Sequence, residues 1–180
     1  MLSRVCGVFK SILKRPLAAV VSLCLTIALG SAMVSAKPTQ TDTHSVKISE
    51  DLYQDAQLAK QKGVPIVIMF SQDSCLYCRI VRESFLEPLL INTDYDDKVL
   101  VREVKIDSFD DIKNFDGKMI PSDELATNLR AYLTPTVIVF DSNGKVHHRI
   151  VGLVNEHYYS AELDNAIDST YSKIHRFAVN

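Results

Sequence analysis

The sequence lacks an excess of basic side chains: 20 lysines and arginines stand against 22 aspartates and glutamates, for a formal net charge of −2. A protein that binds nucleic acid needs a basic face, so this balance argues against that class of partner. All four charges within residues 1–36 are positive. The rest of the chain is therefore clearly acidic, and a surface of that sign is not attracted to anionic membranes.

A long hydrophobic run is also missing. The longest stretch, Leu17–Leu29, consists of uncharged and mostly apolar residues, but it is shorter than the ~18–20 residues that a membrane-spanning helix needs. It follows the basic segment Met1–Arg15 and precedes the small residues of Gly30–Ala36. This order is typical of a secretory signal peptide that is removed after export. An uncleaved membrane anchor is the alternative.

The sequence divides into three parts: a leader, which is the predicted signal peptide, a lead-in and a domain. Val34-Ser35-Ala36 has small residues where a signal peptidase needs them, which predicts a signal peptide over residues 1–36. Residues 37–47 are polar and are predicted to form a flexible lead-in. Residues 48–175 are enough for one domain. We therefore expect the mature protein in the periplasm.

Cysteines are few as well. The chain has four, and two of them, Cys6 and Cys24, lie in the leader. The mature protein keeps only Cys75 and Cys78. A domain of ~140 residues buries enough surface to fold without disulfide cross-links, although an exported protein meets an oxidising compartment. The pair is therefore expected to have a chemical role rather than a stabilising one.

The hydrophobic pattern predicts four helices and four strands in one α/β domain. The run Val64–Phe70 is typical of a strand buried on both faces. The second strand, Val99–Ile106, alternates, with polar residues between the apolar ones. The order predicts a central mixed β-sheet flanked by helices. The first predicted helix covers Glu50–Gly63, and three more begin at Cys75, at Ser122, which is predicted to cap its helix, and at Asn155. The other two predicted strands are Thr136–Phe140 and Lys145–Val151. Asp107–Pro121 is predicted to be a polar loop.

The pair Cys75-Leu76-Tyr77-Cys78 lies where the first predicted strand turns into a helix. A helix N-terminus presents free N–H groups and the positive end of the helix dipole, which stabilise a thiolate and lower the thiol pKa from ~8.5 into a range of ~3.5–7.5. Cys75 is therefore the expected nucleophile. Two intervening residues place Cys78 one helical turn further on, where it can resolve a mixed disulfide.

Half of a zinc site is the alternative interpretation of this pair. A structural zinc site has four ligands, and the mature chain has no third cysteine. The histidines show no ligand pair at the usual spacing, because His147 and His148 are adjacent and alternate across a strand. A reactive dithiol, with neither metal nor cofactor, is the better interpretation.

A proline accompanies the dithiol further along the chain. Pro135 opens the strand Thr136–Phe140, where a proline removes a donor from the ladder of a central strand. A cis Thr134–Pro135 bond would leave the Thr134 backbone free to pair with an extended peptide beside the dithiol. An ordinary trans proline is the alternative. We expect Thr134 and Pro135 to bind substrate.

Together these residues resemble the thioredoxin superfamily, and more narrowly the exported thioredoxin-like proteins of the SoxW type. The resemblance implies the thioredoxin fold over residues ~48–175, a cis-proline at Pro135, Cys75 as nucleophile and Cys78 as resolving cysteine. The matching segments are Phe70-Ser71 leading to Cys75–Cys78, Phe115-Asp116-Gly117-Lys118, Ser122-Asp123-Glu124-Leu125-Ala126, Thr134-Pro135-Thr136-Val137, Gly144-Lys145 and Gly152.

The sequence departs from thioredoxins proper around the dithiol. Thioredoxins resemble Trp-Cys-Gly-Pro-Cys there, whereas Ser74 precedes Cys75 here and the chain has no tryptophan. Thioredoxins also carry a buried aspartate six residues before the first cysteine, where this sequence has Met69. The family's proton acceptor for the second cysteine is therefore missing. Tyr77 is similar to the residue at this place in exported isomerases and glutaredoxins, and we expect it to contact substrate.

The sequence thus predicts a periplasmic thiol:disulfide oxidoreductase that reduces disulfides of exported proteins. A membrane electron donor is expected to keep it reduced, and the protein is expected to be a monomer. One alternative is the opposite direction, as a disulfide oxidant or isomerase, although no large inserted helical domain separates Cys78 from Pro135. Another is a non-enzymatic thioredoxin-fold module whose dithiol binds a metal or thiol compound.

Overall fold

The structure is a computed structural model that describes residues 44–177. The predicted signal peptide and residues 37–43 of the predicted lead-in lie outside the described residues. None of the described helices is both long enough and apolar enough to cross a membrane. The helices are α1 (Leu52–Lys62), α2 (Leu76–Val81), α3 (Glu87–Ile91), α4 (Ser122–Asn128) and α5 (Glu156–Phe177); the strands are β1 (Ile66–Ser71), β2 (Leu100–Lys105), β3 (Asp111–Lys113), β4 (Met119–Pro121), β5 (Thr136–Phe140) and β6 (Val146–Val151).

Four strands form the mixed central sheet, in the order β2-β1-β5-β6. β1 and β2 are parallel, while β5 is antiparallel to both β1 and β6. Helices cover both faces of this sheet, so the predicted central mixed sheet flanked by helices is confirmed. The β5–β6 hairpin turns at Gly144, whose φ of 74° lies in the left-handed region that glycine adopts without strain.

β1 is the centre of the sheet, and its residues are fully buried because the two faces of the strand contribute to two separate cores. Alternate side chains of a strand point to opposite faces. On one face Ile66, Ile68 and Phe70 pack with apolar residues of α1. On the other face Val67 and Met69 pack with residues of α2 and α5. The continuous apolar run in the sequence is explained by this double burial.

A π-helical turn, Arg82–Leu86, continues α2 into α3. In this turn the N–H of Glu87 donates to the carbonyl of Arg82, five residues earlier. The wide turn directly precedes Pro88, which has no N–H and would crowd the carbonyl four residues before it in a regular α-helix. One long, irregular helix therefore carries the segment that follows the dithiol.

The prediction of a polar loop over Asp107–Pro121 is wrong, because this segment contains the two-stranded hairpin β3–β4. Each strand has only three residues, too few for an alternating pattern to stand out. Ile112 and Ile120 pair across the hairpin and are both buried. Phe115 in the turn packs on Phe140 of β5, with 4.9 Å between ring centroids. The hairpin is thus held by a few apolar anchors rather than by strand length.

The prediction that Ser122 caps α4 is also wrong. Pro121 occupies the cap position and makes no side-chain cap hydrogen bond. The Ser122 hydroxyl instead donates to the carbonyl of Asp110, at 3.1 Å. By contrast, Asn155 does stand before the last helix, and its side-chain oxygen accepts from the N–H of His157 at 3.0 Å.

The segment before α1 covers the outer edge of β2. The Glu103 N–H donates to the Lys47 carbonyl at 2.9 Å, and the Ser49 N–H donates to the Glu103 carbonyl at 2.8 Å. Val46 is buried in the core that lies beneath α2 and α5. Residues 46 and 47, which the sequence assigns to the lead-in, therefore pack with the domain.

Candidate active site

Cys75 and Cys78 form a disulfide at the start of α2. Cys75 is the N-cap residue of this helix, and its Sγ accepts a hydrogen bond from the Cys78 N–H at 3.1 Å. The sequence folds this way because the buried strand β1 ends at Ser71 and, after a loop of three residues, the chain reaches Cys75, the cap of the helix. A backbone donor thus points at the Cys75 sulfur, where it stabilises negative charge on that atom.

The two sulfur-bearing residues differ in exposure. Cys78 is fully buried, whereas Cys75 is half-buried. An incoming thiol or disulfide can therefore reach Cys75 from solvent but not Cys78. This is the asymmetry that an attacking and a resolving cysteine require.

The loop before Cys75 meets the loop before β5. The Thr134–Pro135 bond is cis, and the Thr134 hydroxyl donates to the side-chain oxygen of Gln72 at 2.7 Å. The Pro135 carbonyl accepts from the Gly152 N–H, at the end of β6, at 2.7 Å. Three loops are thus hydrogen-bonded to one another at the end of the sheet that carries the disulfide.

Large apolar side chains are exposed on these same loops. Leu76 and Tyr77 stand between the cysteines and are both more than half exposed, as is Leu133 beside Thr134. Val154, two residues after Gly152, is 92% exposed. We call these four residues, Leu76, Tyr77, Leu133 and Val154, the apolar rim. Large exposed apolar side chains on loops beside a reactive cysteine suit contact with another chain.

Met69 is fully buried and offers no ionisable group, but a carboxylate lies directly across from it. Glu103 is the register partner of Met69 on the parallel strand β2, and its exposed fraction is 2%. Arg82 donates to its two oxygens at 2.6 and 2.7 Å, and the Ser71 hydroxyl donates at 2.5 Å. A buried, fully partnered ionic group therefore lies in the layer between β2 and the dithiol helix.

Sequence analysis missed Glu103 because β2 was predicted as an alternating strand. In the structure β2 is buried along nearly its whole length, and its two central residues are opposite charges with partners on opposite faces. Arg102 donates to Asp55 of α1 at 2.7 Å, while Glu103 accepts from Arg82. Adjacent opposite charges inside an otherwise apolar strand are the signal that could have indicated two buried ion pairs.

The contacts of Glu103 keep it ionised. Burial alone would raise the pKa of this carboxyl, but the hydrogen bonds from Arg82 and Ser71 outweigh burial and hold the pKa below its usual range. Hydrogen bonding to Glu103 in turn raises the pKa of the Arg82 guanidinium. Glu103 therefore stabilises the fold above the ordinary carboxyl pKa, and this contribution is lost as pH falls through its lower folded pKa.

The histidines considered for a zinc site have other partners. His147 Nε2 lies 3.0 Å from an Asp141 carboxylate oxygen, and His148 Nε2 lies 2.7 Å from the Ser169 hydroxyl. Within residues 44–177, no three or more histidine, cysteine, aspartate or glutamate side chains are grouped so that they could hold a metal ion.

A disulfide at a strand-to-helix junction, beside a cis-proline that opens a neighbouring strand, defines a protein of the thiol–disulfide redox class. A sequence model described as a thioredoxin-like domain matches residues 52–167, well over half of the chain. The chain therefore belongs to the thioredoxin-like domain family, and its fold is the thioredoxin fold. At the level of the family, this supports a thiol–disulfide oxidoreductase; the narrower SoxW type is not established by the match.

Several solved thioredoxins are similar to this chain. Fasciola hepatica thioredoxin is 19% identical with a TM-score of 0.48, over 69% of this chain and 98% of that one. Malassezia sympodialis thioredoxin is 21% identical with a TM-score of 0.46, over 71% and 91%. Oxidised thioredoxin O2 from Arabidopsis thaliana is 20% identical with a TM-score of 0.45, over 71% and 96%. No curated protein matches the sequence.

Proposed function

We propose that the protein is a periplasmic thiol:disulfide oxidoreductase that reduces disulfides of exported proteins. The observation that carries this proposal is the Cys75–Cys78 disulfide at a helix N-terminus, with one reachable and one buried cysteine. A stabilising cross-link would not need a helix dipole or an exposed position. A membrane electron donor is proposed to return the oxidised pair to the dithiol.

The reaction proceeds through a mixed disulfide. The Cys75 thiolate attacks one sulfur of the client disulfide, and the other client sulfur leaves and takes up a proton. The Cys78 thiol then loses its proton and attacks the Cys75 sulfur, which releases the second client sulfur as a thiol. The client gains two electrons and two protons, and the protein loses them to become the disulfide. The acceptor of the Cys78 proton is not Met69, which has no ionisable group.

Client binding is proposed at the loops around Cys75. An extended client segment pairs with the Thr134 backbone next to Pro135, in the manner of an added β-strand. Tyr77 and the rest of the apolar rim are exposed and supply apolar contacts to the client. Recognition of this kind reads backbone shape and apolar character rather than one sequence, which suits a reductase with several clients.

The reduction potential distinguishes a reductant from an oxidant. Equilibrating the protein with defined ratios of reduced and oxidised glutathione, we expect a potential between about −270 and −200 mV, the range of thioredoxin and glutaredoxins. The Cys75→Ser variant, which cannot form the disulfide, is the control for signals from elsewhere in the chain. A potential near −120 mV, that of a strong periplasmic oxidant, would contradict the proposed direction.

Export is proposed from the order of basic, apolar and small residues in the leader. N-terminal sequencing of the protein isolated from the periplasm should begin near Lys37, or at Met33 if cleavage follows Ala32. Recovery of the full-length chain from washed membranes would contradict cleavage and support an anchor.

A further inference from the structure

Glu103 contacts both ends of the stretch from Ser71 to Arg82, which contains the two cysteines and is called the redox segment below. Ser71, which bonds its carboxylate at 2.5 Å, ends β1 four residues before Cys75. Arg82, which bonds both carboxylate oxygens, follows Cys78 by four residues. The carboxylate of one β2 residue thus joins the strand that leads into the disulfide to the helix that leads away from it.

Arg82 is a close neighbour of the buried sulfur along the helix. Its backbone N–H donates to the Cys78 carbonyl, and side chains four residues apart on a helix lie next to one another, ~5–6 Å between Cβ atoms. Cys78 is fully buried, Glu103 is 2% exposed and the Arg82 side chain is 22% exposed. Solvent therefore screens this ion pair weakly from the sulfurs.

We propose that Glu103 and Arg82 are positioning residues that set the reduction potential of the Cys75–Cys78 disulfide through their opposite charges and their hold on both ends of the redox segment. This inference rests on the proposed thiol–disulfide function and adds to it the groups that determine its equilibrium. The two residues act on the sulfurs indirectly, through the electric field and the backbone geometry around them, because neither residue bonds to a sulfur atom.

The sign of each contribution follows from the reaction with glutathione. The protein disulfide and two glutathione molecules form the protein dithiol and one glutathione disulfide, so two electrons and two protons pass to the protein sulfurs. A positive charge near the sulfurs favours thiolate, and therefore the reduced protein; a negative charge opposes it. In the intact pair the two charges largely cancel.

Other charged groups surround the pair and stay in place in every variant below. Lys105 Nζ lies 3.6 Å from a Glu103 oxygen and 3.0 Å from Asp73. Glu83 and Glu87 act on Arg82 from its own helical segment, and Arg79 is exposed on α2.

The test removes each charge separately in the full chain and measures the glutathione equilibrium at pH 7. Glu103→Gln removes the carboxylate that bonds Arg82 and leaves only Glu83 and Glu87 to oppose its charge. We therefore expect an equilibrium about tenfold further towards the reduced protein, equivalent to about +30 mV. Arg82→Met removes the cation that bonds both carboxylate oxygens and leaves Lys105, at 3.6 Å, as the remaining cation beside Glu103. We therefore expect a shift in the other direction of up to about tenfold, or about −30 mV. The pKa of the Cys75 thiol, followed by thiolate absorbance, should fall in the first variant and rise in the second.

A second buried ion pair of the same kind supplies the matched control. Arg102 and Asp55 join β2 to α1 on the opposite face of the sheet and contact neither Ser71 nor Arg82. Asp55→Asn and Arg102→Met should lower stability but leave the potential and the thiol pKa unchanged. Arg82→Lys retains a cation and should bring the potential back towards the wild-type value, which also covers the case in which Arg82→Met does not fold.

Opposite shifts in the two charge-removing variants support the inference. Equal shifts in the same direction, no shift in a folded variant, or shifts of the same size in the Asp55→Asn control would overturn it. A wild-type protein whose disulfide does not exchange with glutathione at all would overturn the proposed function as well, so that the two failures are distinguishable.

Discussion

Cys75→Ser is expected to abolish catalysed reduction of insulin disulfides, leaving only the rate given by dithiothreitol alone. The reason is that a serine hydroxyl does not form the disulfide intermediate, and Cys78 is fully buried and out of reach of a protein substrate. Insulin turbidity at fixed dithiothreitol measures the loss. Full activity in this variant would contradict Cys75 as the nucleophile.

Cys78→Ser is expected to accumulate mixed disulfides instead, because the attack by Cys75 proceeds and its resolution does not. Non-reducing electrophoresis should show adducts that dithiothreitol removes. Adding Tyr77→Ser should lower their yield if Tyr77 contacts the client, while reaction with a small disulfide such as oxidised glutathione should change less. The same type of substitution at Cys6 and Cys24, in the predicted leader, is the matched control and should leave the insulin assay unchanged.

The second large effect concerns stability. Asp55→Ala is expected to lower the free energy of unfolding by about 3–5 kcal/mol, because it leaves Arg102 buried and without its carboxylate partner. The same change leaves the Ser49 hydroxyl without the acceptor that it holds at 2.6 Å. Urea denaturation followed by far-UV circular dichroism measures the loss.

An exposed ion pair offers the comparison. Asp97 lies 3.4 Å from Lys62 and its side chain is 94% exposed, so solvent screens the pair. Asp97→Ala should leave the free energy of unfolding unchanged. Similar losses in Asp55→Ala and Asp97→Ala would show that burial of the first pair has no energetic consequence.

The parts of the site whose residues are close together in the sequence could be predicted from it. The two cysteines and the helix N-terminus that carries them lie within a few residues of one another, and the strand run that precedes them is continuous. The expected cis bond at Thr134–Pro135 is present. Local chemistry and local structure coincide at the two cysteines, so their spacing indicated the site, whereas the cis form of the Thr134–Pro135 bond was expected from the resemblance to the thioredoxin superfamily.

Glu103 could not be predicted in this way, because its partners are distant in the sequence. Ser71 and Arg82 lie 32 and 21 residues away, and only the pairing of β2 with β1 brings them together. An isolated polar pair in a strand is normally solvent-facing, and the tertiary structure reverses that expectation here. The β3–β4 hairpin was missed for a related reason, since Ile112 and Ile120 lie in very short strands and indicate a hairpin only once they pair with each other.

The short segment that pairs with Glu103 through its backbone, residues 46–49, also has a bearing on solubility. A sheet edge with free N–H and C=O groups is a template onto which a strand from another molecule can add, and this is a common start of aggregation. Lys47 and Ser49 occupy those groups at the centre of the β2 edge. Residues 46–49 thus protect this edge, and a shortened chain that began at α1 would leave the N–H and C=O groups of Glu103 at the β2 edge open to pairing with another molecule.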